Sequence, residues 1–274
     1  MHATKTIEER AAAFRALHTG PEIFLLPNAW DVTSALVLEQ AGFDAIATTS
    51  AGVGYSFGYP IGQEMPRSDM LALLTRITER VSCPLSADME AGYGDTPEEV
   101  AETVRRTWQT GTVGINLEDR TYDRATPLIE KQQAVERIRA TREAAPLMVI
   151  NARTDGYFTG SSGEDVFADT VERANLFMEA GADCLFIPGT KDPEIIRRLV
   201  TEIDGPLNIM GGAGYPDVAT LAALGVKRVT VGASMARAAY AQLVQFAAEF
   251  KSAGTYGFAD DGESNATMNA ILGG

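Results

Sequence analysis

Short apolar runs, FLLPNA, DAIAT, PLSADME, VGINLE, LMVINAR, CLFIPG, PLNIM and RVTVGA, recur along almost the whole chain with longer amphipathic stretches between them. Strict alternation of this kind requires a parallel sheet, because the chain must cross back over a helix before the next strand can pair. The junctions AGFDAI, TGTVGI, AGADCL and LGVKRV each put a glycine after a helical pattern and before an apolar run. Gly42, Gly111, Gly181 and Gly225 are therefore expected in the left-handed conformation that ends a helix. An open doubly wound sheet would carry a GxGxxG turn after its first strand, where this chain reads PNAWDV. The pattern predicts an α/β fold, a parallel eight-stranded (β/α)8 TIM-type barrel with an extra N-terminal helix and a C-terminal helix and tail. Helices are expected over 31–41, 97–110, 127–143, 163–180, 192–202 and 233–251. At 274 residues the chain fits one barrel domain, 1–274, with the Gly-rich, polar 253–274 as a flexible or oligomer-contacting tail.

A net charge of -14 and a pI near 4.6 argue against nucleic acid or an anionic membrane as partner. An acidic protein that takes an acidic substrate must neutralise it locally, with a metal ion or a placed arginine. Cys83 and Cys184 show no pairing pattern, which fits a reducing compartment, with both expected as buried apolar residues. No stretch approaches the roughly 18 apolar residues of a membrane span, and MHATKTIEER lacks a leader's apolar core, so the expected location is cytoplasmic. The two histidines, His2 and His18, precede the first strand, which excludes His-rich zinc sites and Ser-His-Asp chemistry at the strand ends. Lys191 is the one lysine placed for a Schiff base, and it reads as a solvated loop charge.

Active sites of such barrels lie at the carboxyl ends of the strands. There the third run ends in Asp88 and Glu90, the fourth in Glu118 and Asp119, and the fifth in Arg153 and Asp155. Two positions apart on an extended segment, Asp88 and Glu90 project to one face, and Glu118 on the next strand can converge on them. Carboxylates gathered in this way repel unless a cation joins them, and oxygen ligands suit Mg²⁺ or Mn²⁺. The competing reading makes these acids helix caps, and Asp119 is expected to do only that. Arg153 offers a carboxylate a bidentate fork or pairs with Glu118. The small residues of TTSAGVGYSFGYP let backbone N–H groups converge on an anion. MGGAG and VGAS, after the last two runs, fall where barrels often bind phosphate.

The pieces PNAWDVTSA, the TSAG loop, DMEAGYGDTPEE, INLEDR and INARTD together resemble the isocitrate lyase/phosphoenolpyruvate mutase superfamily, over roughly residues 24–251. The resemblance implies a distorted (β/α)8 barrel that binds Mg²⁺ and a 2-oxo acid or its enolate. It implies that Asp88, Glu90 and Glu118 serve the metal, mostly through water, and that Ser50, Ala51 and Gly52, with Asp88, meet the substrate. It further implies Arg153 and Glu118 as catalytic residues, with Asn208 on the substrate's distal part. A homodimer or homotetramer through the last helices is expected on the same ground. The chain departs from the lyases in carrying RTYDRATPLIEK where they have a Lys-Lys-Cys-Gly-His segment. It also has Ile61 where many relatives place an Asp and Gly189 where lyases place a Glu. The expected activity is thus a Mg²⁺-dependent carbon–carbon lyase or ligase acting on pyruvate, oxaloacetate or 2-oxoglutarate, rather than an ordinary isocitrate lyase. The alternatives are a 2-oxo acid binding or regulatory protein without turnover, and a phosphonomutase or phosphate-ligand barrel. Tyr55, Tyr93 and Tyr122 are candidate proton donors, each also readable as loop packing.

Overall fold

The computed structural model describes residues 5–123, 125–260 and 262–273; His2, Arg124 of the RTYDRATPLIEK segment, and Asp261 and Gly274 of the tail lie outside the described residues. Parallel strands β1 (Phe24–Leu26), β2 (Asn28–Ala29), β3 (Ile46–Thr48), β4 (Leu85–Asp88), β5 (Gly114–Glu118), β6 (Val149–Arg153), β7 (Cys184–Phe186), β8 (Leu207–Met210) and β9 (Arg228–Thr230) form one sheet in the order β1-β9-β8-β7-β6-β5-β4-β3-β2. The first apolar run is split at Pro27, which has no N–H for a ladder. Its first half pairs with β9 and its second with β3. The two ends of the sheet are therefore neighbours along the chain, and the sheet wraps into a TIM-type barrel. Nine strands instead of eight is the consequence of that one proline.

The helices are α1 (Ile7–Thr19), α2 (Val32–Gln40), α3 (Ser50–Phe57), α4 (Arg67–Thr78), α5 (Pro97–Gln109), α6 (Lys131–Ala144), α7 (Glu164–Glu179), α8 (Pro193–Glu202), α9 (Val218–Ala223), α10 (Ser234–Ala253) and α11 (Asn265–Ile271). Their starts follow capping chemistry: Asp31 accepts from Ser34 N, and Thr96 with Glu99 forms a capping box. Gly42, Gly111, Gly181 and Gly225 all take positive φ, between 87° and 110°. Helix α6 begins at Lys131, not at 127, because residues 127–129 are drawn back onto the end of β5. Thr121 N donates to Pro127 O (3.0 Å) and Ile129 N to Asp119 O (2.7 Å), leaving Glu130 to cap the helix. Past α10, Ile271 of α11 packs against the core and Arg80 Nη2 donates to Leu272 O (2.6 Å). Among the described residues no helix is long and apolar enough to cross a membrane.

The main core lies between the sheet and the helix ring, and a smaller cluster closes the amino-terminal end of the barrel. There α1 presents Phe14 against Phe24, Leu26, Val113 and Val149. A Cβ on Gly114 would fall 2.5 Å from the Phe14 ring, so only glycine lets the helix seat this deeply. Beside Phe14, buried His18 contacts Phe14 O through Nδ1 (2.9 Å) and Arg228 Nη1 through Nε2 (3.3 Å). A carbonyl can only accept and a guanidinium can only donate, so the ring must be neutral with its proton on Nδ1. Burial first, then the Arg228 charge, push its pKa down to about 3. The folded value lies below the unfolded one near 6.5, so stability is complete above about pH 6.5 and is lost as pH falls toward 3. We expect a loss of about 2 kcal/mol between pH 7 and pH 5 from this residue. Melting curves at the two pH values check it: His18→Gln should flatten the dependence, and an unchanged slope would contradict the assignment.

Candidate active site

The carboxyl ends of the strands open into a cavity of about 510 Å³. Asp88, Glu90, Glu118 and Arg153 line it together with Ser50, Ala51 and Asn208. Gly52, expected at the same place, does not line it. A Cβ there would meet Thr49 Cγ2 at 2.7 Å and Trp30 Cβ at 3.0 Å, so Gly52 serves close packing behind the site.

The TSAG segment is not a loop but the first turn of α3, capped by Thr49. Ser50 donates to Asp88 Oδ2 from both its backbone N (2.9 Å) and its Oγ (2.7 Å), while Asn116 Nδ2 donates to Asp88 Oδ1 (2.8 Å). The Ser50 N–H is thereby committed to Asp88 rather than to a ligand. Strand β4 ends at Asp88, and Glu90 reaches the cavity not along an extended strand but through a turn with φ 51°. Its backbone O accepts from Glu118 N (2.9 Å), which ties the two glutamates across neighbouring segments.

Tyr122 links them a second time, its Oη lying 2.5 Å from Glu90 Oε2 and 2.8 Å from Glu118 Oε1. Gln63 N also donates to Glu90 Oε2 (2.8 Å) and Tyr93 N to Gln63 Oε1 (3.1 Å). Gln63, Glu90, Tyr93 and Tyr122 all have positive φ, and among the described residues no other non-glycine residue does. Left-handed backbone costs a non-glycine residue of order 1 kcal/mol each, and such strain gathers where function holds it.

Arg153 forms a fork on Asp155 (Nε to Oδ1 2.5 Å, Nη2 to Oδ2 2.8 Å) and pairs with Glu118 through Nη1 (2.9 Å). It lies over the rings of Phe158 (5.0 Å) and Phe186 (5.5 Å). Burial alone would lower its pKa, but Asp155 and Glu118 outweigh it and raise it, so the charge is permanent. Glu118 and Glu90 are both pushed up, by burial before any other cause, even though they share the single Tyr122 hydroxyl proton and Arg153 lies close. Desolvation thus outweighs the favourable contacts of both glutamates. Tyr122→Phe removes the one donor that the two glutamates share, so the proton affinity of the pair should rise further. The lower pH limit for cation or ligand binding should move upward in that variant; an unshifted pH profile would remove Tyr122 from the network.

Asp119 does not cap a helix. It is buried, accepts from Asp155 N (3.0 Å) and pairs with Arg173 (3.3 Å), and burial raises its pKa to about 6. Its work is to brace the ends of β5 and β6 from behind. Cys184 is buried, whereas Cys83 is only partly so, with its N–H donating to Glu39. Lys191 is exposed, its Nζ 5.0 Å from the Tyr215 ring centre and 3.2 Å from Ala213 O. The phosphate position after β9 is already filled: Val231 N and Gly232 N both donate to Asn28 Oδ1 at 2.9 Å. Tyr55 stacks edge-on with Tyr240, and the buried Tyr93 Oη has no partner. Asn208 is fully buried, and its Nδ2 is left without a partner.

Sequence reasoning did not single out Asn28, Asn116, Asn151, Arg120 and Arg228, all of which line the cavity. Asn116 and Asn151 sit two positions before Glu118 and Arg153, so strand alternation alone would place them on the same inward face. They are paired across the sheet and hydrogen-bonded, Asn151 Nδ2 to Asn116 Oδ1 (2.8 Å). Arranged as direct metal ligands, no three acidic, His or Cys side chains cluster among the described residues. The oxygens of Asp88, Glu90 and Glu118 are mostly engaged by protein donors.

A parallel barrel whose strand ends gather three carboxylates and a buried guanidinium around one cavity defines an α/β barrel with a polar pocket at the end where such folds carry their sites. The chain belongs to the phosphoenolpyruvate phosphomutase family, whose model matches residues 14–251, within the isocitrate lyase/phosphoenolpyruvate mutase superfamily. It is similar to the 2-methylisocitrate lyase of Escherichia coli K12, 30% identical over 204 residues, 71% of this chain and 67% of the relative. A crystal structure from Burkholderia cenocepacia J2315 superposes with a TM-score of 0.92 at 37% identity, covering 98% of this chain and 97% of that one. A phosphonopyruvate hydrolase in complex with oxalate and Mg²⁺ superposes with a TM-score of 0.86 at 27% identity, covering 96% and 95%.

Proposed function

We propose that the chain is a Mg²⁺-dependent enzyme, with Mn²⁺ able to substitute, that acts on a small 2-oxo acid through an enolate and forms or cleaves a C–C bond beside the oxo group. Pyruvate, oxaloacetate and 2-oxoglutarate define the class. The observation that carries this reading is the convergence of Asp88, Glu90 and Glu118 with Arg153 on one cavity at the carboxyl ends of the strands. Relatives that include a carbon–carbon lyase, and a hydrolase seen with oxalate and Mg²⁺, support it.

The donor set fits the ion. It consists of carboxylate oxygens with no His or Cys, and the raised proton affinity of Glu90 and Glu118 is what a nearby divalent cation would relieve. Asp88, Glu90 and Glu118 would hold it largely through water, since protein donors already occupy most of their oxygens. When bound, such an ion supplies positive charge against the oxyanion that develops on the substrate.

The chain's own residues supply the rest. A guanidinium has five N–H groups, and Arg153 keeps some of them beyond those given to Glu118 and Asp155 for a substrate oxygen. The N-terminal turn of α3, with Ala51 at the cavity, offers the positive end of a helix dipole to a carboxylate. Burial, followed by the charges of Glu118 and Glu90, raises the Tyr122 hydroxyl well above its ordinary value. It stays protonated and holds its proton at Oη beside the reacting region. Asn208 Nδ2 offers an unpaired donor to the distal part of the ligand.

Incubation with Mg²⁺ and candidate 2-oxo acids, followed by NMR of C3 proton exchange, tests the activity. Exchange is expected. Binding without exchange would leave a ligand-binding module in place of an enzyme, and neither would dismiss the reading. A homo-oligomer is part of the proposal: α10 buries only Ala236 and leaves Leu243, Val244 and Phe250 exposed at 57%, 68% and 58%. Light scattering should report a dimer or tetramer, and a monomer mass would contradict this.

A further inference from the structure

The cavity does not end at the level of the carboxylates. Ser86, Asn116 and Asn151 also line it, each two positions before Asp88, Glu118 and Arg153 and therefore roughly 6–7 Å further down the barrel. On β8 and β9 the inner wall is formed by Asn208 and Arg228, which stand opposite one another in the ladder. Arg228 is the first residue of β9, and it is only 2% exposed.

A guanidinium in that position is costly unless something balances it, because burial removes the water that would stabilise its charge. Four arginines line the cavity. Arg153 pairs with Glu118 and Asp155, Arg120 lies 3.8 Å from Asp155, and Arg237 is exposed at the rim. Arg228 has no carboxylate partner among the described residues: its Nη1 meets the neutral His18 at 3.3 Å, and its Nε has no partner. Burial lowers its pKa to about 10, still far above neutrality, so the charge remains. The neighbouring amide is prepared in the same sense. Thr230 Oγ1 donates to Asn208 Oδ1 (3.4 Å), which leaves Asn208 Nδ2 as an unused donor. A buried cation and a buried N–H group, both unsatisfied and both lining one cavity, are complementary to an anionic acceptor.

We propose that Arg228, with Asn208, binds a second carboxylate of the substrate, so that the site selects 2-oxo dicarboxylic acids over monocarboxylic ones. The inference rests on the 2-oxo acid reading above and adds to it a residue and a charge on the ligand. The 2-oxo acid head stays with Arg153 and the carboxylate cluster, and the second carboxylate reaches inward to β8 and β9. A cavity of about 510 Å³ has room for both groups. His18 supports the arrangement by accepting from Nη1, which fixes the guanidinium and leaves its Nε edge to the ligand.

Calorimetric titration of the full chain in Mg²⁺ tests this with oxamate, whose head copies that of pyruvate, and with its N-carboxymethyl, N-(2-carboxyethyl), N-carbamoylmethyl and N-isobutyl derivatives. At least one carboxylate derivative should bind about tenfold or more tighter than oxamate, the effect of a charge-assisted hydrogen bond formed away from water. It should also bind tighter than the neutral amide and isobutyl compounds of similar shape. In Arg228→Met the ratio between that derivative and oxamate should fall to about one, and Arg228→Lys should retain part of it. The ranking in the parent protein needs no variant. Carboxylate derivatives that bind no tighter than oxamate overturn the proposal, as does tightest binding of the amide or isobutyl compound. A ratio kept in Arg228→Met but lost in Arg237→Gln overturns it too, by assigning the second carboxylate to the rim. Each of these results leaves the 2-oxo acid reading standing, whereas failure of every compound to bind removes both.

Discussion

Replacement of Arg153 by methionine should slow 2-oxo acid C3 exchange by about 10²- to 10³-fold, the usual consequence of removing a fixed positive group aimed at a developing oxyanion. The same change should destabilise the fold. Arg153 is the partner of both Glu118 and Asp155, whose side chains are 4% and 0% exposed. Removing one member of a buried ion network leaves the other charges desolvated and uncompensated, at a cost of about 3–5 kcal/mol. Part of that cost will be avoided because Glu118, already raised in pKa by burial, can take up a proton. A double variant, Arg153→Met with Glu118→Gln, should therefore recover stability without recovering exchange. Denaturant midpoints and exchange rates on the single and double variants separate the two effects. Full exchange in Arg153→Met would show that the arginine is structural only.

Asp88→Asn should abolish the dependence of ligand binding on Mg²⁺ while leaving the barrel folded. The amide is nearly isosteric, yet it replaces an acceptor that takes hydrogen bonds from Ser50 N, Ser50 Oγ and Asn116 Nδ2 with a group that is half donor. Two consequences follow. One carboxylate charge leaves the cation site, and the amide NH₂ must face either Ser50 N or Asn116 Nδ2, so the contact to one of these two donors is lost. A fall of at least about 100-fold in Mg²⁺-supported oxalate affinity is expected, comparable to losing a charged partner in a desolvated site. Titration of oxalate with and without Mg²⁺ measures it, and a variant that still responds to Mg²⁺ as the parent does would take Asp88 out of the cation site.

The barrel was legible because two periodic signals agree. Apolar runs mark each strand, and Gly42, Gly111, Gly181 and Gly225 mark the helix ends that precede them. The strand-end rule then led to Asp88, Glu118 and Arg153. What escaped depends on contacts distant in sequence. Ser-Ala-Gly-Val-Gly has the composition of a loop, and it becomes the start of α3 because Thr49 caps it and Ser50 is anchored on Asp88, 38 residues away. Tyr122 belongs to no periodic pattern. Its hydroxyl reaches Glu90 and Glu118 only because its backbone turns through φ 69°, which propensity does not favour for tyrosine. The start of α6 was misplaced by four residues because Pro127 and Ile129 carry backbone hydrogen bonds to the end of β5 in place of a first helical turn. Asn116 and Asn151, by contrast, were accessible to simple alternation along β5 and β6.

Calorimetric titration of Mg²⁺ into EDTA-stripped protein, alone and with oxalate present, reaches the heart of the matter. Asp88, Glu90 and Glu118 gathered around one pocket should take up a single divalent ion, more tightly when oxalate is present, and each ligand should strengthen the other by the same factor. Absence of Mg²⁺ or Mn²⁺ uptake under both conditions would contradict the account.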